Sequence, residues 1–261
     1  MSFAQEPHLF RLQFYTTAPY PCSYLDKQIA CSQVAVPAHL VNTPVYSRLI
    51  RQGFRRSGMF VYRPHCENCQ ACVSLRVPVT HFCPSRSQRR TMQKLKHLQV
   101  RTLNLHYSEE HYNLYQRYQQ KRHPGGGMDE DSCEQYQQFL LRSPVSSYLI
   151  EYREPAGDSA QSGILRMVSI IDVLDDGLSA VYTFYDPDQP QAGYGTYGVL
   201  WQIEYAKRLS LSHVYLGYWI HGSPKMTYKV NFEPFEALSL QGWQRFCRET
   251  PGNSQAEGVH R

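Results

Sequence analysis

The second half of the sequence alternates strand-like and helix-like segments, and this order limits the fold to a mixed α/β arrangement. Residues 178–185 (LSAVYTFY) are rich in β-branched and aromatic residues, which predicts a strand. A loop with two prolines and two glycines follows at 186–195. Residues 196–209 then place apolar side chains on one helical face, and residues 214–219 again have strand character. A strand, a glycine-containing loop, a helix and a second strand are typical of mixed sheets covered by helices.

Further strands and helices are predicted upstream of this unit. Strands are expected at 147–152 and 163–173, where Ile, Val, Leu and Tyr predominate. Helices are expected at 109–121 and 130–141. We therefore predict an α/β (α+β) fold in which residues 106–250 form a mixed sheet flanked by helices.

The first 105 residues differ in composition and are expected to form a basic, cysteine-containing domain. Prolines recur along this part, which favours short strands and loops over long helices. Two short helices are predicted within it, one at 44–52 and one at 87–97 with Ser87 as its cap. Residues 251–261 are predicted to be a polar tail.

Positive charge is concentrated in one segment of the chain. Between Lys27 and Ser108 there are 13 Lys and Arg residues and one acidic residue, Glu67, a net charge of +12 against +5 for the whole chain. Such an asymmetry favours a polyanionic partner, with a solvated basic face as the alternative. The candidates for phosphate contacts form a tight group: Arg86, Arg89, Arg90, Lys94 and Lys96.

Three of the eight cysteines follow the pattern Cys-x2-Cys-x2-Cys, at Cys66, Cys69 and Cys72. Two-residue gaps can bring thiolates onto one metal centre, so zinc or an iron–sulfur cluster is a candidate cofactor. Cys22 is the first choice for a fourth ligand. The remaining candidates for that position are Cys31, Cys83 and His65. The alternative is three reduced thiols in a compact loop.

The sequence shows no membrane or secretion signal. No stretch approaches the roughly 18–20 continuous apolar residues of a membrane helix, and residues 1–10 lack an apolar signal core. We therefore expect a cytoplasmic protein with no membrane partner and with reduced cysteines.

The loop before the predicted helix contains Gly193 and Gly195, which allow a ligand to approach the backbone closely. The first turn of the following helix offers N–H groups that no residue of the helix can accept, so Gly195 and Thr196 are candidate catalytic residues. An ordinary tight turn is the alternative. The sequence has no Walker loop, no Gly-x-Ser-x-Gly motif and no evident Ser/His/Asp set, which favours chemistry without a protein nucleophile.

Several longer motifs together resemble one family. Four segments are similar to the N-terminal domain of the arginyl/leucyl-tRNA–protein transferases: 55–58 (RRSG), 62–72 (YRPHCENCQAC), 76–79 (RVPV) and 85–90 (SRSQRR). Three more are similar to their C-terminal domain: 177–187 (GLSAVYTFYDP), 216–220 (LGYWI) and 225–234 (KMTYKVNFEP). The resemblance extends from about residue 13 to residue 238, and the triple-cysteine run resembles the bacterial branch, the aspartate/glutamate leucyltransferases.

The chain departs from the family pattern at two places. The family loop usually reads Ser-Leu-Gly-Thr where this chain has Gly-Tyr-Gly-Thr at 193–196, and a cysteine that is common before the Lys-Met pair is replaced by Ser223 or Pro224. In eukaryotic members of the family, N-terminal-domain cysteines are linked to an iron–sulfur cluster. Cys22, Cys69 and Cys72 are most similar to those positions.

The resemblance implies an acetyltransferase-type (GNAT-type) fold in the C-terminal domain and a specific activity. Leucine would pass from leucyl-tRNA to the N-terminal α-amine of proteins that begin with Asp or Glu, with no cofactor required for the chemistry. Transfer from arginyl-tRNA is the alternative within the class. Rivals from other classes are a non-catalytic RNA-binding zinc protein and a small-molecule acetyltransferase.

The implied reaction suggests roles for particular residues. N–H groups at Gly195 and Thr196 would hold the oxyanion, and Asp172 and Asp186 are candidate proton acceptors. Cationic candidates for binding the acceptor carboxylate are Arg55, Arg56, Arg63, Arg76, Lys225 and Lys229. Candidates for lining the pocket of the terminal adenine are Tyr182, Tyr185, Tyr218 and Tyr228. Surface charges, core tyrosines and turn-capping aspartates are the corresponding structural alternatives.

Overall fold

The computed structural model describes residues 11–125, 130–156, 163–223 and 226–247. In chain order, the strands are β1 (Gln13–Thr16), β2 (Tyr20–Pro21), β3 (Ile29–Ala30), β4 (Ser32–Val36), β5 (Arg55–Ser57), β6 (Phe60–Pro64), β7 (Val73–Pro78), β8 (Gln99–Asn104), β9 (Ser147–Arg153), β10 (Leu165–Val173), β11 (Gly177–Tyr185), β12 (His213–Trp219), β13 (Phe235–Ser239) and β14 (Gly242–Phe246). The α-helices are α1 (Thr43–Arg51), α2 (Arg86–Leu95), α3 (Glu109–Arg122), α4 (Cys133–Tyr136) and α5 (Tyr194–Arg208). Short helical turns lie at Ala38–Leu40, Gln137–Leu141 and Thr227–Asn231.

The strands form one large sheet and two small ones. The large sheet has eight strands in the order β14-β13-β7-β12-β11-β10-β9-β8. A four-stranded antiparallel sheet, β1-β4-β6-β5, and the two-stranded ribbon β2-β3 lie outside it. The predicted mixed α/β fold with a large mixed sheet flanked by helices is confirmed.

Strands from both sides of residue 105 share the large sheet. β7 pairs with β12 and β13, and β8 pairs with β9. The predicted domain boundary near residue 105 therefore does not coincide with a break between sheets. Local sequence patterns indicate strands, but they do not identify the partner across a long sequence separation.

One pair in the large sheet is parallel, and it is short. β11 and β12 pair only from Gly177 to Ser179 and from His213 to Tyr215. Beyond those residues both strands continue without pairing to each other, β11 to Tyr185 and β12 to Trp219. The two strands therefore diverge and leave a fork in the middle of the sheet.

Helices cover the large sheet on both faces. α5 and α2 pack on one face over a core that includes Leu178, Leu200 and Ile203, all at most 1% exposed. α3 and α4 pack on the opposite face over Leu149 and Phe184. A third core lies between the four-stranded sheet, α1 and β12. No helix among the described residues is long and apolar enough to cross a membrane.

Helix starts follow their capping residues. Asn42 caps α1 by accepting a hydrogen bond from the Val45 N–H. Ser85 and Gln88 form a capping box at α2, so the predicted cap Ser87 is wrong. The sequence S-x-x-Q at 85–88 carries this signal, and it places the cap two residues earlier than predicted.

Candidate functional site

Arg55 fills the fork between β11 and β12. Its Nη2 donates to the Ala180 carbonyl at 2.5 Å, and its Nη1 lies 3.3 Å from Ser179 Oγ and 3.5 Å from the Tyr215 carbonyl. Gly217 makes room for it, because a Cβ there would lie 3.1 Å from Arg55 Cζ. These partners are neutral, and no described carboxylate forms an ion pair with Arg55. The fork therefore carries an unbalanced positive charge.

Tyrosines surround this charge. Burial raises the pKa of Tyr24, Tyr62, Tyr218 and Tyr228, and the positive charge of Arg55 opposes that rise at each of them. The Tyr228 pKa rises to about 12. Tyr218 is buried, and its hydroxyl donates to the Gly53 carbonyl at 2.8 Å. These phenols are thus neutral at physiological pH and can act as hydrogen-bond donors.

Lys229 lies on the helical turn Thr227–Asn231. It is close enough to Arg55, which belongs to β5, for the charge of that arginine to act on it. Its Nζ donates to the Tyr218 carbonyl at 2.6 Å. Burial, followed by the positive charge of Arg55, lowers the pKa of Lys229 to about 7. The side chain is half-buried and forms no ion pair with a described carboxylate. A lysine with this pKa is partly neutral near physiological pH, which is typical of functional sites.

A polar pocket of about 400 Å³ adjoins Tyr228. Its walls are the start of α2, the start of α5 and the turn Thr227–Asn231 with the residues that follow it. The lining residues are Cys83, Ser85, Ser87, Gln88, Thr196, Tyr228, Asn231, Phe232 and Glu233. Gln88 holds two of these walls together, because its Nε2 donates to the Asn231 carbonyl at 2.9 Å. Ser85, Gln88, Asn231 and Glu233 were not predicted as site residues, although the capping-box pattern at 85–88 was a signal for the first two.

The first turn of α5 opens toward this pocket. Gly193 at its N-cap position has φ +85°, and no side chain caps the helix. The N–H groups of Gly195 and Thr196 fall in the first turn, where the helix supplies no acceptor. Thr196 lines the pocket and Tyr185 packs against Gly195. This placement suits the predicted oxyanion role, which stays a prediction.

The basic residues of α2 lie beside the glycine loop. Arg86, Arg89, Arg90, Lys94 and Lys96 are all exposed. Lys94 Nζ donates to the Gln191 carbonyl at 2.8 Å, and Thr91 lies against Gly193. The structure thus brings the basic helix, the glycine loop and the pocket together. Contact of these residues with tRNA stays a prediction.

Arg56 and Asp172 are engaged with each other away from the pocket. Both side chains are fully buried, and Arg56 reaches Asp172 at 2.8 and 2.6 Å through two nitrogens. Ser147 Oγ donates to the same carboxylate at 2.6 Å. Neither residue is accessible, so the expected roles of Arg56 in carboxylate binding and of Asp172 as a proton acceptor do not fit. Sequence alone does not reveal that the two side chains pair across 116 positions.

Arg63 and Arg76 also have protein partners. Arg63 donates to Gln33 Oε1 at 2.9 Å and to the Gln52 carbonyl at 3.1 Å. Arg76 pairs with Glu236 at 2.8 Å and lies over the Trp243 ring. Both are therefore held in structural contacts rather than directed into the fork. Lys225 lies outside the described residues.

Asp186 is held in an arginine clamp. Its carboxylate lies 2.7 Å from Arg166 Nη1 and 3.0 Å from Arg117 Nη2, and it accepts from the Asp188 N–H. The clamp fixes the start of the loop that leads to Gly193. This arrangement fits a positioning role better than the expected proton acceptor.

Tyr182 and Tyr185 lie mainly in the packing between β11 and α3. The Tyr182 hydroxyl accepts from Gln119 Nε2 at 3.1 Å, and Tyr185 packs edge-on against Tyr118 at 4.8 Å. Tyr185 also contacts Gly195 and reaches the start of α5. Of the two, only Tyr185 adjoins the elements that form the pocket.

The four cysteines predicted as metal ligands lie near one another. Burial and then the charges of Cys22, Cys69 and Cys66 raise the pKa of Cys72 to about 12. Within the described ranges, however, no group of three or more His, Cys, Asp or Glu side chains is arranged to hold a metal ion. In this arrangement the four thiols do not form a metal-binding group.

Zinc or cluster binding by these cysteines stays a prediction. Elemental analysis of the purified wild type and of Cys69→Ser tests it. We expect metal in the wild type and less in the variant, and wild-type protein without iron or zinc would contradict the prediction.

Two family profiles match the chain. Arginine-tRNA-protein transferase, N terminus, matches residues 20–90, and Arginine-tRNA-protein transferase, C terminus, matches residues 110–239. Among solved structures, L-PGS from Bacillus licheniformis has a TM-score of 0.44 at 11% identity over 61% of this chain and 50% of that chain. FemX has a TM-score of 0.40 at 8% identity over 70% and 62%.

Close relatives cover nearly the whole chain, and each is named aspartate/glutamate leucyltransferase. The protein of Polynucleobacter necessarius subsp. necessarius (strain STIR1) is 53% identical over 94% of this chain and 97% of its own length. That of Nitrosospira multiformis is 55% identical over 89% and 90%, and that of Pseudomonas aeruginosa (strain LESB58) is 44% identical over 90% and 97%. The chain therefore belongs to the arginine-tRNA-protein transferase family, and its similarity to the bacterial aspartate/glutamate leucyltransferases extends over nearly its full length.

Proposed function

We propose that this chain is an aminoacyltransferase that moves leucine from leucyl-tRNA to the N-terminal α-amine of proteins beginning with Asp or Glu. The observation that carries the proposal is the unbalanced positive charge at Arg55, set in the fork of the sheet next to a polar pocket and a basic helix. Relatives that share about half of all residues are named for this activity. The proposal implies a cytoplasmic enzyme, because charged tRNA is a cytoplasmic molecule.

The tRNA end of the donor would occupy the pocket beside α2. A volume of about 400 Å³ suits a terminal nucleoside, and the partly exposed ring of Tyr228 could stack on its base. The preceding phosphates would then run along α2, where Arg86, Arg89 and Arg90 are exposed. These cations would release counterions on binding, so donor affinity should depend on salt.

The acceptor carboxylate would bind at the fork. Arg55 donates to three neutral oxygens, which hold the guanidinium in place but leave its charge uncompensated by any described acid. An Asp or Glu side chain would supply the missing negative charge. A basic N-terminal residue would be repelled there, which gives the site selectivity for acidic acceptors.

The chemistry requires no cofactor, because an aminoacyl ester is already activated toward an amine. Binding both substrates across the fork would supply proximity, which lowers the barrier without a protein nucleophile. The tetrahedral intermediate carries an oxyanion, and the uncapped N–H groups of Gly195 and Thr196 would stabilise it. Asp186 would act indirectly, by holding the loop that places these N–H groups.

Transfer assays with defined substrates test the proposal. Wild-type protein is incubated with radiolabelled leucyl-tRNA or arginyl-tRNA and with peptides that begin with Asp, Glu, Lys or Arg. We expect label from leucyl-tRNA on the Asp and Glu peptides alone. Label from arginyl-tRNA would instead identify an arginyltransferase, and tRNA binding without any transfer would identify the non-catalytic RNA-binding alternative.

Arg55 provides a second test of the acceptor site. Arg55→Met should raise KM for Asp and Glu peptides roughly 10- to 100-fold, the range expected for a lost charged hydrogen bond. Lys207→Met, on the exposed end of α5, is the matched control and should leave KM unchanged. An unchanged KM in Arg55→Met, with the fold intact by circular dichroism, would place the acceptor carboxylate elsewhere.

A further inference from the structure

We propose that Lys229 is the proton acceptor of the transfer reaction: its Nζ takes the proton that the acceptor α-amine loses and delivers it to the ribose oxygen of the tRNA. The inference rests on the proposed function. It differs from the role expected from the sequence, in which Lys229 was a cation for the acceptor carboxylate.

The position of Lys229 suits this role. The turn Thr227–Asn231 carries Tyr228 into the pocket and holds Lys229 against β12, where its Nζ donates to the Tyr218 carbonyl at 2.6 Å. That carbonyl belongs to the part of β12 that has left β11, at the open side of the fork. Lys229 therefore lies between the proposed nucleoside pocket and Arg55, where the ester and the amine would meet.

The contacts of Lys229 also leave one site on its nitrogen for a proton. A neutral amine has two N–H bonds and one lone pair. One N–H is used by the Tyr218 carbonyl, and that contact directs the lone pair away from the strand. No described carboxylate pairs with Lys229 to hold it in the charged form.

The surrounding groups favour the neutral amine. Arg55 from β5 is the nearby cation, and Tyr218 from β12, Tyr228 from the same turn and Tyr24 and Tyr62 around Arg55 are neutral phenols. Burial and the charge of Arg55 lower the pKa of Lys229 to about 7. Glu233 in the pocket wall is an acidic group on this side of the molecule. A base with a pKa near the working pH is the most effective general base.

Other candidate bases are less suitable. Asp172 is fully buried in its pair with Arg56, and Asp186 is clamped by two arginines. Both carboxylates are therefore already engaged by arginines, so neither is free to contact the attacking amine. Lys229, in contrast, forms no ion pair with a described carboxylate, and its amine can accept a proton near neutral pH.

The proton balance of the step closes without another reactant. The neutral α-amine attacks the ester carbonyl, and a C–N bond forms while the carbonyl oxygen takes the electron pair. Lys229 accepts one proton from the attacking nitrogen. The C–O bond to the ribose then breaks, the leaving oxygen receives that proton from Lys229, and the products are an amide, a ribose hydroxyl and neutral Lys229.

Two substitutions separate a base from a binding cation. Lys229→Arg keeps a positive charge but cannot give up its proton, whereas Lys229→Met removes both properties. If Lys229 is the base, both variants should lose about 100-fold in kcat, the lower end of general-base contributions, while KM for Asp peptides changes less than about threefold. Circular dichroism and tRNA binding serve as fold controls.

The rival role gives the opposite pattern. If Lys229 binds the acceptor carboxylate, Lys229→Arg should keep most of the activity and Lys229→Met should lose it through KM. Near-wild-type kcat in Lys229→Arg would therefore overturn the inference while leaving the proposed function intact. Failure of the wild type to transfer leucine would instead refute the proposed function.

A direct readout does not depend on activity. Lysine labelling with an amine-reactive reagent, followed by mass spectrometry across pH 5–11, measures when each amine becomes neutral. We expect half-maximal labelling of Lys229 near pH 7, well below the pKa of about 10.4 of a lysine in a model peptide, and the exposed Lys207 serves as the internal reference. Labelling of Lys229 in step with Lys207 would overturn the proposal even if the variants are inactive.

Discussion

Arg55 and Arg56 are neighbours on β5, yet their side chains have different surroundings and different partners. Side chains alternate along a strand, so one arginine enters the fork and the other pairs with Asp172. The sequence predicted that both were candidate substrate contacts. It could not show which was already occupied, because the partner of Arg56 is 116 residues away. Burial and pairing of charges are properties of the folded chain.

Lys229 shows a similar limit of sequence reasoning. Its presence in the site was predicted, but its altered pKa arises from burial and from Arg55, which is distant in sequence. The hydrogen bonds that Gln88 makes in the pocket wall could not be predicted from the sequence either. They link Ser85 and Asn231, which belong to segments far apart in the chain. The glycine loop was better predicted, since a loop and the helix after it are local features.

Gly193 is a residue at which backbone conformation can be tested. It has φ +85°, and a Cβ would lie 3.2 Å from Thr91 Cγ2. Gly193→Ala should cost roughly 1–2 kcal/mol of stability, because the left-handed region is unfavourable for residues with a Cβ. Gly193→Asn should cost less, since asparagine visits that region more readily. Thermal unfolding measures both, and equal stability of Gly193→Ala and wild type would contradict the prediction.

At the scale of elements, the α-helices and strands β9 to β12 could be predicted, whereas no residue range was predicted for the other ten strands. The predicted helix at 109–121 corresponds to α3 (Glu109–Arg122), and the predicted strand at 178–185 to β11 (Gly177–Tyr185). Periodicity is a local signal, so it identifies an element without its neighbours. The insertion of β7 between β12 and β13 was therefore not predicted.

The contact between α3 and β9 contains a buried charged group. His111 Nε2 donates to Glu151 at 2.6 Å, and Arg153 contacts the same carboxylate. The hydrogen bond from His111 is the largest influence on Glu151 and, with Arg153, lowers its pKa to about 2 against the opposing effect of burial. Because the folded pKa lies below the ordinary value of 4.5, this group stabilises the fold above pH 4.5 and loses that effect as pH falls toward 2.

Glu151→Gln should therefore destabilise the protein most near neutral pH. Removal of one partner from a buried pair costs roughly 3 kcal/mol, and the difference from wild type should shrink between pH 4.5 and pH 2. Urea unfolding at several pH values measures this change. Glu204→Gln, which removes an exposed partner of Lys207, is the control and should have little effect. A pH-independent difference would show that the loss comes from packing alone.

The basic face of α2 leads to a prediction about salt. Replacement of Arg86, Arg89 and Arg90 by Gln should weaken leucyl-tRNA binding and reduce the slope of log K against log[salt] by roughly 2–3, about 0.9 for each lost phosphate contact. Filter binding at several salt concentrations measures the slope. Lys207→Gln and Arg208→Gln at the other end of α5 form the control pair. An unchanged slope in the triple variant would remove α2 from the tRNA interface.

At the scale of the whole molecule, the Arg56–Asp172 pair joins the four-stranded sheet to the large sheet. Arg56→Met should cost about 3–5 kcal/mol, because it leaves the Asp172 charge buried without its partner. The double variant Arg56→Met, Asp172→Leu should recover part of that loss, since no charge then remains buried. Denaturant unfolding of both variants tests this, and a single variant as stable as wild type would contradict it.

The position of β7 determines whether the two halves of the chain can be produced as separate, folded polypeptides. β7 comes from the segment before α2, yet it lies between β12 and β13 in the interior of the large sheet. A polypeptide beginning at residue 106 would lack that strand, so its sheet would be interrupted and two apolar strand edges would be open to aggregation. Truncation experiments that assign one activity to each half would then report on misfolded fragments, and complementation would require both pieces to be made together.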